Sequence, residues 1–136
     1  MSCSSAIYTA NTTPQVLLGN AQIPFGSIIR RYGQNLNLEG YGITACGSGY
    51  YKCDCSVTLE PTAIGNVSAQ LYVNGEPYPG AVQTGYATAA GNPVPLSFPA
   101  IVRIPRCGCN ESLTLSVRLG DEGATVTNMA FSAEKI

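Results

Sequence analysis

Six cysteines carry most of the reactive chemistry open to this chain of 136 residues. Four of them form two Cys-x-Cys pairs, Cys53/Cys55 and Cys107/Cys109, while Cys3 and Cys46 stand apart. A cysteine nucleophile needs a base to make its thiolate, and the chain contains no histidine. Redox dithiols use Cys-x-x-Cys spacing, which neither pair has. On a strand, Cys-x-Cys puts both sulfurs on one face, too far apart to bond each other comfortably. Disulfides would therefore run between segments. Zinc is a second reading, but the pairs lack the usual zinc-knuckle spacing and no histidine completes the set. The third reading is free, buried thiols that pack as small hydrophobes. Met1 to Ala10 has neither a charged n-region nor an apolar h-region. No secretory signal is expected there, so folding in a reducing cytosol favours thiols.

The carboxylates offer little more. A glycosidase-type pair needs two acids about 5–10 Å apart. Of Asp54, Glu60, Glu111, Asp121 and Glu122, the last two read as turn residues and Glu60 precedes Pro61. No catalytic site, resident metal or cofactor is expected. Seven Lys and Arg against eight Asp and Glu give a net charge of -1, and only Arg30-Arg31 are adjacent. That balance excludes a phosphate-binding surface and hence nucleic acid. No run of about 20 apolar residues exists to span a membrane. Lys52 and Asp54, two apart, share a strand face and can pair. The sequons at Asn11, Asn66 and Asn110 carry no weight without a secretory signal.

The elements that hold these residues are strands. Charged residues make up 11% of the chain and hydrophobic ones 45%, against about 25% charged in ordinary soluble domains. In 50–59, Tyr51, Cys53, Cys55, Val57 and Leu59 alternate with Tyr50, Lys52, Asp54, Ser56 and Thr58. In 66–74, Val67, Ala69, Leu71 and Val73 alternate with polar neighbours, as do Leu113, Leu115, Val117 and Leu119 in 113–119. A period of two marks a half-buried strand. Further strands are expected over 6–9, 16–18, 27–32, 36–38, 43–46, 82–89, 96–104 and 124–136. Pro99 marks an edge or a bulge. Asn74-Gly75 signals a tight turn, which Pro77-Tyr78-Pro79-Gly80 is expected to lengthen beyond two residues. About ten short strands with close turn signals predict an all-β sandwich or barrel, a single domain over 1–136, with helix content near zero.

Several segments resemble the trimeric jelly rolls of the tumour necrosis factor and complement globular-head superfamily. They are "GSGYYKCDCSVTLEP", "NVSAQLYVNGEPYPGA" and the closing "TVTNMAFSAEKI". "IPFGSIIRRYG", "GITACGSGYYKCD" and "RCGCN" are similar to small stand-alone prokaryotic and phage members. The resemblance implies a TNF-like two-sheet jelly roll of about ten strands, assembled as a homotrimer. It implies that Tyr50, Lys52 and Asp54 face the three-fold axis. The closing strand, apolar on both faces, would place Met129 and Phe131 at a subunit boundary. It also sets the strand from Gly49 antiparallel to the one ending near Ile104. Cys46 then lies close to Cys107 and Cys109, where a disulfide from Cys46 to either, or a zinc site, becomes an option beside free thiols.

The functions that follow are non-enzymatic. The leading expectation is a virion-surface component of a bacteriophage, assembled in the bacterial cytoplasm: a capsid decoration, a head fibre or a tail-associated head. Its partners would be copies of itself and phage capsid or tail proteins. The alternatives are a module binding a host-surface glycan or protein, with Tyr78 and Tyr86 in the contacting loops, and a bacterial cell-surface or spore-coat protein.

Overall fold

The computed structural model describes residues 5–104 and 112–136. Eleven strands are present: β1 (Ala6–Asn11), β2 (Gln15–Leu17), β3 (Ser27–Tyr32), β4 (Leu36–Glu39), β5 (Gly42–Cys46), β6 (Gly49–Pro61), β7 (Gly65–Val73), β8 (Glu76–Ala87), β9 (Val94–Ile104), β10 (Ser112–Leu119) and β11 (Ala124–Lys135). No helix occurs among the described residues, and so none is long and apolar enough to cross a membrane. One sheet runs β3-β1-β11-β6-β9, with β2 also on β11, and the other runs β4-β5-β10-β7-β8. Every pairing is antiparallel. Two antiparallel sheets with one apolar face each can bury those faces only against one another.

Alternation along β6 does most of the positioning. Tyr51, Cys53, Cys55, Val57 and Leu59 are buried between the sheets, while Tyr50, Lys52, Asp54 and Ser56 point outward. β7 contributes Val67, Ala69 and Leu71 from the opposite sheet, and β10 contributes Leu115, Val117 and Leu119. Phe25 stacks on Phe131 with centroids 4.8 Å apart, and both rings are buried. Pro95 and Pro99 lie on β9, the edge strand beside β6. An edge tolerates a residue with no N–H to donate outward.

Two details depart from expectation. The β7–β8 turn is a true two-residue hairpin. Val73 pairs with Glu76 across Asn74-Gly75, both at positive φ (54° and 84°) as the tight hairpin turn demands. The irregularity comes after it, where the register shifts between Gln70 and Tyr72. The second departure is in β11. Its register against β6 slips between Val126 and Asn128, leaving Thr127 as a bulged extra residue. Ala124 and Val126 before the bulge, and Met129, Phe131 and Ala133 after it, therefore all face the core. The strand that reads as apolar on both faces is apolar on one, and its outer residues are Asn128, Ala130, Ser132 and Glu134.

Candidate functional site

The outer face of the six-stranded sheet is built by register. Tyr8 on β1 lies opposite Ser132 of β11 and Arg30 of β3. Glu134 lies opposite Lys52, Ser132 opposite Asp54, and Ala130 opposite Ser56. On the far side of β6, Tyr50 faces Arg103, Lys52 faces Ile101, and Ser56 faces Ser97. Small side chains therefore line the middle of this face and larger ones its rim. The result is a groove of about 400 Å³ floored by Ser56, Ser97, Ala130 and Ser132, with Tyr8, Asp54 and Pro99 along its walls. A second recess of about 230 Å³ opens beside it between Tyr8, Arg30, Tyr32, Lys52 and Glu134.

The rim is partly apolar and open. Tyr8, Tyr50 and Ile101 are 41%, 50% and 54% exposed. The guanidinium of Arg103 sits 5.8 Å from the centre of the Tyr50 ring, close enough for a cation–π contact that orients the ring. Of the residues expected at a subunit boundary, Tyr50, Lys52 and Asp54 stand on this outer face. Met129 and Phe131 do not: they are 0% and 1% exposed inside the sandwich. The bulge at Thr127 is what turned them inward. Sequence reading did not single out Tyr8, Ser97 or Ala130. Their only signal was smallness or aromaticity, which acquires meaning once β1, β11, β6 and β9 lie side by side.

Cys53 and Cys55 are buried thiols. Burial pushes each up to about 12, with Asp54 adding to the effect at Cys53 and Cys53 adding at Cys55. They remain protonated and unreactive at neutral pH. The Cys55 sulfur lies 3.9 Å from that of Met129. Cys46 is half-buried at the end of β5, whereas Cys3, Cys107 and Cys109 lie outside the described residues, so the pairing expected of Cys46 falls outside them as well. Among the described residues no group of three or more His, Cys, Asp or Glu could hold a metal ion.

Tyr51 anchors the same end of the sandwich. Its ring is fully buried, and its hydroxyl donates toward the carbonyls of Gly47 (2.8 Å) and Cys46 (3.0 Å). Asn35 Nδ2 also donates to Cys46 O at 2.6 Å. Burial is the main cause raising the Tyr51 phenol, Cys46 adds to it, and the Asn35 contact opposes it. Tyr51→Phe is expected to lower stability by about 1 kcal/mol, since a part-buried hydrogen bond to Gly47 O is lost while Cys46 O keeps its Asn35 donor. Chemical denaturation of the two proteins side by side measures it.

The two tyrosines expected in contacting loops part ways. Tyr78 is half-buried against the core, and its hydroxyl donates to Ile101 O at 2.5 Å, which ties β8 to β9. Tyr86 is 61% exposed on the outer face of β8.

No protein-family model and no curated protein matches this chain in sequence. Solved structures do match its fold. Murine APRIL superposes with a TM-score of 0.70 at 11% identity, over 98% of this chain and 99% of that one. The globular domain of zebrafish complement 1qA gives a TM-score of 0.67 at 9% identity, over 94% of each chain. Vertex protein P5 of phage PRD1 gives 0.56 at 15% identity, over 100% of this chain and 99% of that one. The fold is thus a TNF-like jelly roll of two antiparallel sheets. Within that class, the architecture is shared by TNF-type and complement heads and by a phage vertex protein.

Proposed function

We propose that this chain is a non-enzymatic display protein that forms a homotrimer on the surface of a bacteriophage particle, in contact with capsid or tail proteins. The observation that carries the reading is the groove on the outer face of the six-stranded sheet. Small residues line it, exposed aromatic and aliphatic side chains edge it, and charges of both signs surround it (Arg30 and Lys52 against Asp54 and Glu134). A recess and a protruding rim on one surface are the two halves of a heterologous contact, and such a contact closes into a ring when its rotation matches. Rim residues such as Tyr50 of one copy would enter the groove of the next, and Lys52 and Asp54 would find opposite charges across the boundary. Desolvated aromatic anchors in pockets supply most of the energy at such contacts. The likeness to the phage PRD1 vertex protein supports the particle surface as the setting.

Light scattering on a sizing column tests the assembly. The expected mass is three times the chain mass of 14.2 kDa. Ala130→Arg and Ser97→Arg, each filling the groove floor, are expected to reduce it to a single chain with an unchanged circular dichroism spectrum. Ser97 is exposed, so its substitution leaves the core intact. A wild-type mass of one chain at all concentrations, or trimers that survive both substitutions, would overturn the proposed face.

A further inference from the structure

The opposite side of the sandwich carries a different kind of recess. On β7 and β8 the register sets Asn66 beside Tyr86 and Ser68 beside Thr84. Directly paired residues have Cβ atoms about 4.5–5.5 Å apart on one face. The turn between β10 and β11 closes over this pair of strands. Gly120 N donates to Ser68 O at 2.9 Å, and a Cβ on Gly120 would lie 2.2 Å from Ser68 Oγ. A side chain there would push the Ser68 hydroxyl aside, so the glycine lets the start of the turn lie close on β7. From behind, Asn20 N donates to Gly120 O at 2.8 Å. Together Asn66, Val67, Ser68, Thr84, Asp121 and Glu122 line a cleft of about 330 Å³, within the usual size range of small-ligand sites of about 300–1,000 Å³.

We infer that this cleft is a saccharide site, selective for neutral sugars. A pyranose presents an apolar C–H face and a ring of hydroxyls, and the site offers a counterpart to each. The exposed Tyr86 ring beside Asn66 is a flat apolar platform that loses little entropy on contact. The carboxylates of Asp121 and Glu122 accept strong, charge-assisted hydrogen bonds from hydroxyls. The Asn66 amide and the Ser68 and Thr84 hydroxyls can each donate and accept. Two carboxylates side by side repel phosphate, sulfate or sialic acid. A protein partner would seek a broad apolar, aromatic centre, whereas here one aromatic ring, Tyr86, stands beside a lining of polar side chains. Strands form the floor and a pinned turn forms the wall, so binding requires little reorganisation. The inference is independent of the proposed trimer, because this face is the far side of the sandwich.

The test is a two-dimensional amide NMR titration of the full chain with cellotetraose, maltotetraose and chitotetraose. At least one is expected to give saturable shifts centred on Asn66, Ser68, Thr84, Tyr86 and Asp121. Tyr86→Ala is expected to weaken that binding about tenfold or more and Asp121→Asn by a smaller factor, both with otherwise unchanged spectra. No saturable shift with any of the three, shifts located elsewhere, or undiminished binding by Tyr86→Ala would overturn the inference. So would tighter binding of sialyllactose than of the neutral sugars. Movement of the same amides by calcium chloride alone, with the sugars silent, would replace it with a cation site.

Discussion

Phe131→Ala is expected to lower the free energy of unfolding by about 3–5 kcal/mol, the usual cost of deleting a buried aromatic ring. The ring is 1% exposed and stacked 4.8 Å from Phe25, so alanine both removes its burial and leaves Phe25 beside a void. The loss belongs to the sandwich core and not to a subunit boundary. Guanidinium denaturation at two protein concentrations should therefore return the same difference between wild type and variant at each. Protein that remains folded should keep the mass of the wild type. A variant of unchanged stability that loses assembled mass would instead place Phe131 at an interface.

The second large effect is alkaline. Cys53 and Cys55 titrate near the ordinary 9.0 when unfolded and near 12 when folded, because burial penalises the thiolate. Below pH 9 both states hold the proton and the thiols make no difference. Between pH 9 and 12 the unfolded chain gives up protons that the folded chain keeps, so the unfolded state gains and stability falls. The loss is on the order of a few kcal/mol for each thiol. The raised Tyr51 phenol acts with the same sign. Thermal midpoints should be flat below pH 9 and drop steeply above it. Cys53→Ala/Cys55→Ala should lose some stability throughout yet show a shallower alkaline decline. A double variant with the same slope as wild type would show that the thiols contribute nothing to it.

How far the sequence carried is clearest strand by strand. The face assignment on β6 was legible because the ten residues 50–59 alternate without a break, and β3 was legible over Ser27–Tyr32 because turn residues bound it on both sides. Pro99 correctly pointed to an edge. β11 was harder. A bulge leaves no compositional mark: Val126 and Met129 are three apart, and regular alternation puts them on opposite faces. The Asn74-Gly75 hairpin was obscured by Pro77 and Pro79, which sit on β8, an edge strand that accommodates them. The grooved outer face was half legible, through Tyr50, Lys52 and Asp54. Its floor comes from β9 and β11, which are far from β6 in sequence. The saccharide cleft was legible only through Tyr86, which was expected to contact a host-surface glycan, and the rest of it was hidden for the same reason. Asn66 and Ser68 read as a sequon and Asp121-Glu122 as a turn, and only the crossing of β7, β10 and β11 brings them together.

Thr127 works as a reading frame for the closing strand. Everything downstream of it takes its orientation from that one extra residue. Were Thr127 to take a regular place in the ladder with no bulge, the eight positions from Asn128 to Lys135 would each rotate to the opposite side. Ser132 and Glu134 would then enter the core, while Met129 and Phe131 would emerge on the grooved face. Deleting Thr127 outright would instead leave every later side chain on its present face, because Asn128 already pairs with Thr58, the neighbour of the Leu59 that pairs with Val126. A chain of this architecture can exchange its buried and displayed sides along one strand by moving a single bulge, which links the identity of its outer surface to the backbone as much as to the side chains.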